Sequence, residues 1–239
     1  MLDKTLVIIP TYNEIDNVEK MAKQMFGLYP SISILIVDDN SPDGTANKVT
    51  EMQREFPNLR LLKRAGKLGL GTAYLEGFQY ALDEGFDRIV EMDCDFSHDP
   101  KDVGALVEKS ADSDCVIGSR YIDGIRIINW PIKRLLLSSF AAFYVRTITG
   151  MKLTDPMAGF KCITSKALRA LDFNKVSSNG YSFQTEIHFR LYKKGLTISE
   201  HPIVFTERRD GQSKMSGSVI FEAVYKVIVL KLRSLFGAL

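Results

Sequence analysis

Asp93 and Asp95 are the residues whose type and spacing carry the most chemistry in this sequence. They follow the run Arg88-Ile89-Val90-Glu91-Met92, whose β-branched and apolar content predicts a strand. Residues two apart on an extended segment point the same way, so this strand aims two hard oxygen ligands beyond its carboxyl end. Two carboxylates held side by side repel each other, and a cation between them removes that cost. Mg2+ or Mn2+ shared with a substrate diphosphate is the chemistry that suits the pair. The plain alternative is a solvated turn with incidental acids.

A second acidic pair, Asp38-Asp39, closes another apolar run at 32–37. It has two readings: a helix N-cap shared with Asp43, or carboxylates that accept hydrogen bonds from a base or ribose. The glycines of Gly66-Lys67-Leu68-Gly69-Leu70-Gly71 match neither a P-loop nor the dinucleotide fingerprint after a first strand. A tight turn and close helix packing account for them. Further on, Arg120, Arg126, Lys133 and Arg134 are opposed only by Asp123, and then comes the uncharged run 135–145. Arg134 and Ser138 are one helical turn apart and can face one phosphate together. The run is too short to cross a membrane and too apolar all round for an ordinary exposed helix. It fits a core helix, or a helix in the membrane interface with the basic cluster on lipid phosphate. Trp130 suits a headgroup-level anchor or a core position. His98, His188 and His201 show no ligand spacing and receive no role. Glu186 is a supporting acid rather than a base.

The elements that must position these groups alternate. Residues 5–9 form a near-continuous apolar strand, and Val18, Met21, Ala22 and Met25 follow at helical spacing, with Asp16 and Glu19 placed like a capping pair. Strands at 32–37, 59–62 and 88–92 then alternate with helices marked by Thr45, Val49, Met52 and Phe56 and by the stretch to about Asp83. Another strand is expected at 116–119. With right-handed crossovers the result is an α/β fold, a largely parallel sheet with helices on both faces. Polar clusters lie at the carboxyl end of each strand, where such sheets bind ligands.

Composition excludes several classes. At 239 residues and 45% hydrophobic, the chain can bury one large core or two modest ones. A net charge of +2 gives no basic field for nucleic acid. Cys94, Cys115 and Cys162 have no metal or redox spacing, which points to a reducing compartment. A strand soon after Met1 is not a secretory signal, and no run of about 20 apolar residues predicts a membrane span.

Several segments together resemble the inverting family 2 glycosyltransferases of GT-A fold. They are Ile9-Pro10-Thr11-Tyr12-Asn13-Glu14, Val37-Asp38-Asp39-Asn40-Ser41-Pro42-Asp43-Gly44-Thr45, Lys67-Leu68-Gly69-Leu70-Gly71-Thr72-Ala73-Tyr74 and Met92-Asp93-Cys94-Asp95. Gly118-Ser119-Arg120-Tyr121, Asn129-Trp130-Pro131, Asp155-Pro156 with Gly159-Phe160, Gly180 through Glu186, and Pro202 through Phe205 with Arg208 and Gly211-Gln212-Ser213-Lys214 narrow the likeness. Within the family they resemble the dolichol- and polyprenol-phosphate mannose synthases, over nearly the whole chain. The resemblance implies that Pro10, Tyr12, Glu14, Val37, Asp38, Asp39 and Lys67 line the pocket for the nucleotide of GDP-mannose. Asp93, Asp95 and Ser97 would hold the metal, with Ser97 where many members have Gln. Arg208 and Lys214 would grip the nucleotide phosphates from a mobile loop at 207–218. Arg120, Arg134 and Ser138 would hold the phosphate of a dolichyl or polyprenyl acceptor, with Asp95 and Arg120 catalytic. The assignment of those three residues favours the interfacial reading of the segment 125–150.

The implied organisation is a catalytic domain over 1–217 followed by an amphipathic helix at 218–239 without a transmembrane domain. Such a chain would sit on the cytosolic face of a membrane, with a membrane anchor protein as a candidate partner. One rival is a related transferase that uses a UDP-sugar such as UDP-glucose on undecaprenyl phosphate. A receiver-like signalling module is another, but that class is about half this length and leaves the basic, apolar segment 120–145 unexplained.

Overall fold

The computed structural model describes residues 1–207, 217–237 and 239, with backbone alone at Tyr181 and at 217–223. The first half alternates as the sequence predicts: β1 (Thr5–Thr11), α1 (Ile15–Leu28), β2 (Ser33–Asp38), α2 (Thr45–Met52), β3 (Leu59–Lys63), α3 (Leu70–Asp83), β4 (Arg88–Glu91), α4 (Asp102–Lys109) and β5 (Cys115–Ser119). The second half adds β6 (Ile127–Ile128), α5 (Ile132–Thr149), β7 (Lys161–Thr164), α6 (Ser165–Arg169), α7 (Tyr181–Lys193), β8 (Ile198–Pro202), β9 (Phe205–Thr206) and α8 (Gly217–Leu235).

Seven strands form one sheet in the order β3-β2-β1-β4-β7-β5-β8, and β6 pairs with β9 beside it. Every pairing in the large sheet is parallel except those of β7, which runs antiparallel to both β4 and β5. Local periodicity did not reveal β7, because its place between two strands of the first half is a long-range choice. Successive residues of β1 face opposite layers, as a pleated strand requires. Leu6 and Ile8 enter a core with α3, α6 and α7, while Val7 and Ile9 enter a core with α1, α2 and α4. Close packing fixes two glycines. A Cβ on Gly77 would meet the Ile8 side chain at 2.8 Å, and one on Gly71 would meet Phe183 and the Ser178 carbonyl at 2.9 Å. The reading of the glycine segment as a turn with close helix packing therefore holds.

Asp16 and Glu19 do not cap α1. The N–H of Ile15 donates to Asp43 Oδ2 at 3.0 Å and that of Glu14 to Thr45 Oγ1 at 3.0 Å, so the neighbouring loop supplies the cap. Glu19 instead pairs with Lys23 at 2.7 Å and Lys48 at 2.8 Å.

Candidate active site

Among the described residues, five non-glycine residues adopt left-handed backbone: Asn13, Asn40, Phe96, Asp123 and Asn129. The first three follow β1, β2 and β4, and the other two lie between β5 and α5. Such residues cost about 1–3 kcal/mol each and persist where the surroundings impose them. Their gathering beyond the strand ends marks the same edge that the acids do.

The turn after β4 is built from inside. Asp93 N–H donates to His98 Nδ1 at 3.2 Å, and Ser97 N–H donates to Asp95 Oδ1 at 3.0 Å. His98 is buried, stacked on Phe160 at 4.9 Å and edge-on to Phe205 at 5.7 Å. Burial, against a smaller pull from Asp95, lowers its pKa to about 4. The ring is therefore neutral near pH 7, and Nδ1 is the acceptor that fixes the turn. His98 has a structural task that its spacing did not disclose. Asp93 and Asp95 remain partly exposed, whereas Ser97 is buried.

A buried pair underlies this turn. Glu91 and Lys161, both fully buried, face each other in the β4–β7 register, with Lys161 Nζ 3.0 Å from Glu91 Oε1. Gln184 donates to Glu91 Oε2 at 2.9 Å and accepts from Lys161. Burial raises the Glu91 pKa against the opposing pull of Lys161. The Tyr74 phenol is fully buried, and its pKa is pushed well up by burial first and by Asp93, Glu91 and Asp95 after it.

Around the first three strands the expected nucleotide residues divide. The Tyr12 ring is exposed beside Lys67, whose Nζ lies 3.9 Å from the ring centroid. Pro10 and Glu14 are partly exposed near it in sequence, and Glu14 accepts from Asn17 at 2.8 Å. Asp39 is held by Arg64, a buried guanidinium that also reaches Glu76 at 3.1 Å and the Gly69 carbonyl at 3.2 Å. The sequence reading missed Arg64; its only local signal was a charge at the end of an apolar strand. Val37 and Asp38 lie deeper than these groups. Val37 packs in the core, and Asp38 is fully buried. Asp38 accepts from Thr11 Oγ1 at 2.9 Å, Ser41 N–H at 2.9 Å and Ser41 Oγ at 2.6 Å, so it braces the loop.

The basic cluster lies beyond β5 and at the start of α5. Arg120 closes its side-on fork on Asp155, with Nε and a terminal nitrogen each 2.7 Å from a different oxygen. This bidentate lock was not foreseen for a residue expected on the acceptor phosphate. Arg134 sits 4.1 Å over the Trp130 ring and pairs through one terminal nitrogen with Glu207. Its Nε is buried with no hydrogen-bond partner among the described residues, as is Trp130 Nε1. Ser138 Oγ accepts from the Tyr121 hydroxyl at 2.8 Å. Phe205 stands between the two clusters, edge-on to both His98 and Trp130, the latter at 5.5 Å. Arg208 and Lys214 lie outside the described residues, as does most of the expected loop.

Helix α5 turns Ile132, Leu136, Phe140 and Phe143 to solvent, and α8 turns out Tyr225, Ile228, Leu232 and Leu235. The two helices touch, and the Tyr144 hydroxyl donates to the Val224 carbonyl at 3.1 Å. The core alternative for 135–145 is thus overturned for most of its length. Among the described residues no helix is long and apolar enough to cross a membrane. Glu186 is buried, receives the Ser178 N–H at 2.8 Å and pairs with Arg190 at 2.6 Å, which is a structural place.

The donor set fits a hard divalent ion. Among the described residues no group of three His, Cys, Asp or Glu side chains gathers as a metal cage. Mg2+ and Mn2+ take one or two carboxylates and complete their shell with water and phosphate oxygens, as this pair allows.

A mostly parallel sheet reversed at β7, clothed by helices, with paired aspartates at the carboxyl end of β4, defines a GT-A-type glycosyltransferase. The family model described as glycosyl transferase family 2 matches residues 6–172, and the chain belongs to that family. It is 42% identical to the undecaprenyl-phosphate mannosyltransferase of Micrococcus luteus, over 94% of this chain and 92% of that one. Polyprenol monophosphomannose synthase of Mycolicibacterium smegmatis is also 42% identical, over 94% of this chain and 85% of its own. Two solved structures share the fold. Glucosyl-3-phosphoglycerate synthase of Mycobacterium tuberculosis, in complex with Mn2+, UDP and glucosyl-3-phosphoglycerate, has a TM-score of 0.66 at 17% identity, covering 96% of this chain and 79% of that one. A mannosyltransferase of Pyrobaculum calidifontis in complex with GDP-Man and Mn2+ has a TM-score of 0.59 at 15% identity, covering 98% and 74%.

Proposed function

We propose that this chain transfers mannose from GDP-mannose to the phosphate of a dolichyl or polyprenyl lipid, with inversion at the anomeric carbon. The observation that carries the reading is one site edge bearing two complementary clusters. Paired carboxylates suit a metal–diphosphate, and a guanidinium–hydroxyl set beside an apolar helix suits a lipid phosphate. The 42% identity to two polyprenyl-phosphate mannose transferases supports the same donor sugar and acceptor class.

A phosphate monoester is already ionised near neutral pH, so the nucleophile needs no strong base. Among the described residues, the two candidates for one are engaged elsewhere: His98 is spent on Asp93 N–H and Glu186 on Arg190. Arg134 and Ser138 align a phosphate oxygen with the anomeric carbon, and Arg120, fixed by Asp155, holds the wall of that subsite. The phosphate oxygen forms the new bond to C1 as the bond to GDP breaks from the opposite face, and the electron pair leaves with GDP. Asp93 and Asp95, with Ser97 close by, would hold a divalent ion, which would supply charge neutralisation for the departing diphosphate. Arg208 and Lys214 add cationic charge there. Tyr12, Pro10, Glu14 and Asp39 receive the guanosine, with Lys67 placed by Tyr12. The exposed faces of α5 and α8 rest in the interface of the cytosolic leaflet, with or without an anchoring partner protein.

The test is transfer of labelled sugar from GDP-mannose, and from UDP-glucose in parallel, to a polyprenyl phosphate in detergent with Mg2+ or Mn2+. Labelled lipid from GDP-mannose alone is expected. Transfer only from UDP-glucose moves the chain to a different donor, and none from either donor refutes the reading.

A further inference from the structure

The two guanidinium groups of the acceptor subsite each carry their own carboxylate, but the carboxylates are not equivalent. Asp155 is fully buried and takes Arg120 through both side-chain nitrogens and also through its backbone N–H at 3.1 Å. It has no route to solvent. Glu207 is partly exposed, touches Arg134 through a single nitrogen, and leaves Arg134 Nε without a partner among the described residues. Its backbone is fixed. β6 pairs with β9, Glu207 N–H donates to the Ile128 carbonyl at 3.2 Å, and Thr206 N–H reaches the Ser97 carbonyl at 3.4 Å. Releasing Arg134 therefore requires only a rotation of the Glu207 side chain.

We propose that Glu207 is a built-in competitor for Arg134, displaced by an incoming phosphate monoester and able to return to Arg134 once the diester has formed. The inference rests on the proposed function. A monoester carries about −1.5 to −2 charges near pH 7. Sugar transfer leaves a diester with a single negative charge, no more than the Glu207 carboxylate itself. The incoming acceptor outbids Glu207 for Arg134 and gains the vacant Nε for a two-pronged contact. Once the mannosyl bond has formed, the contest is between two monoanions, one of them tethered at the site. Glu207 returns to Arg134 and speeds departure of the lipid product.

The experiment compares parent and Glu207→Gln, as full chains in detergent with GDP-mannose and Mg2+. It measures the acceptor KM and the inhibition constant of the mannosyl phosphate product. Gln keeps shape and one acceptor oxygen but removes the charge. Acceptor KM is expected to fall on the order of fivefold, the scale of a partly exposed ion pair, and the product inhibition constant to fall by no more than that factor, because both ligands must displace the same carboxylate from Arg134. Glu207→Asp, which keeps the charge, is expected to hold both constants near those of the parent. Arg134→Gln separates the two levels. If it raises acceptor KM while Glu207→Gln leaves acceptor KM unmoved, the competitor role falls alone. An acceptor KM unmoved by Arg134→Gln removes the acceptor subsite itself, and the inference with it.

Discussion

Replacing Asp155 by Asn tests the physical role of the acceptor-side scaffold. Asp155 is fully buried, and the Arg120 side chain is 13% exposed. One carboxylate receives three N–H groups of Arg120, two at 2.7 Å and one at 3.1 Å. Asn presents an amide NH2 to one of those donors and carries no charge, so a buried guanidinium is left unmatched. Breaking a buried pair in this way costs about 3–5 kcal/mol. For a chain of this size each kcal/mol moves the melting temperature by about 2–4 °C, so a drop of roughly 6–20 °C is expected. Differential scanning calorimetry measures the drop, and acceptor KM measured well below the new transition should rise as the subsite wall loosens. The double variant Arg120→Met with Asp155→Leu carries no stranded charge. It should recover most of the stability while transfer stays impaired. If Asp155→Asn melts within about 2 °C of the parent, or binds acceptor more tightly because Arg120 has been set free, the lock described here is not what organises the subsite.

Four further outcomes are expected. Asp95→Ala should abolish transfer while the melting temperature stays within a few degrees of the parent, and calorimetry with a transfer assay separates the two effects. GDP should raise the melting temperature when Mg2+ or Mn2+ is present and lose most of that shift on chelation. His98 and His188 are buried and neutral, with burial the main cause of both depressed pKa values, and His98 falls to about 4. Their stabilisation is complete above the unfolded value of 6.5 and is lost as pH falls from there toward 4; His188→Asn, which can still donate to the Pro156 carbonyl, should flatten that fall in a melting series. Phe140→Glu with Phe143→Glu should weaken sedimentation with anionic vesicles by about tenfold per residue, from roughly 1.5 kcal/mol of lost apolar burial each, while the melting temperature is retained.

The sequence alone determined what local physics determines. Period-two and period-3.6 patterns gave the order of strands and helices through β5, and chain direction placed Asp93, Asp95 and Asp39 at the strand ends. One helical turn between Arg134 and Ser138 was legible for the same reason. Tertiary structure decided which charge answers which. Lys161 meets Glu91 only because β7 runs antiparallel into the sheet beside β4, and Arg120 meets Asp155 across 35 residues. Asp38 reads like Asp39 on paper. One is sealed by Thr11 and Ser41 and the other is turned to Arg64, a difference set by neighbouring loops. Burial converts such pairings into fixed geometry, because a charge removed from water must find its partner wherever the chain brings one. No periodicity in the sequence records that meeting, so the competition between Glu207 and a phosphate for Arg134 became visible only once the strands were in place.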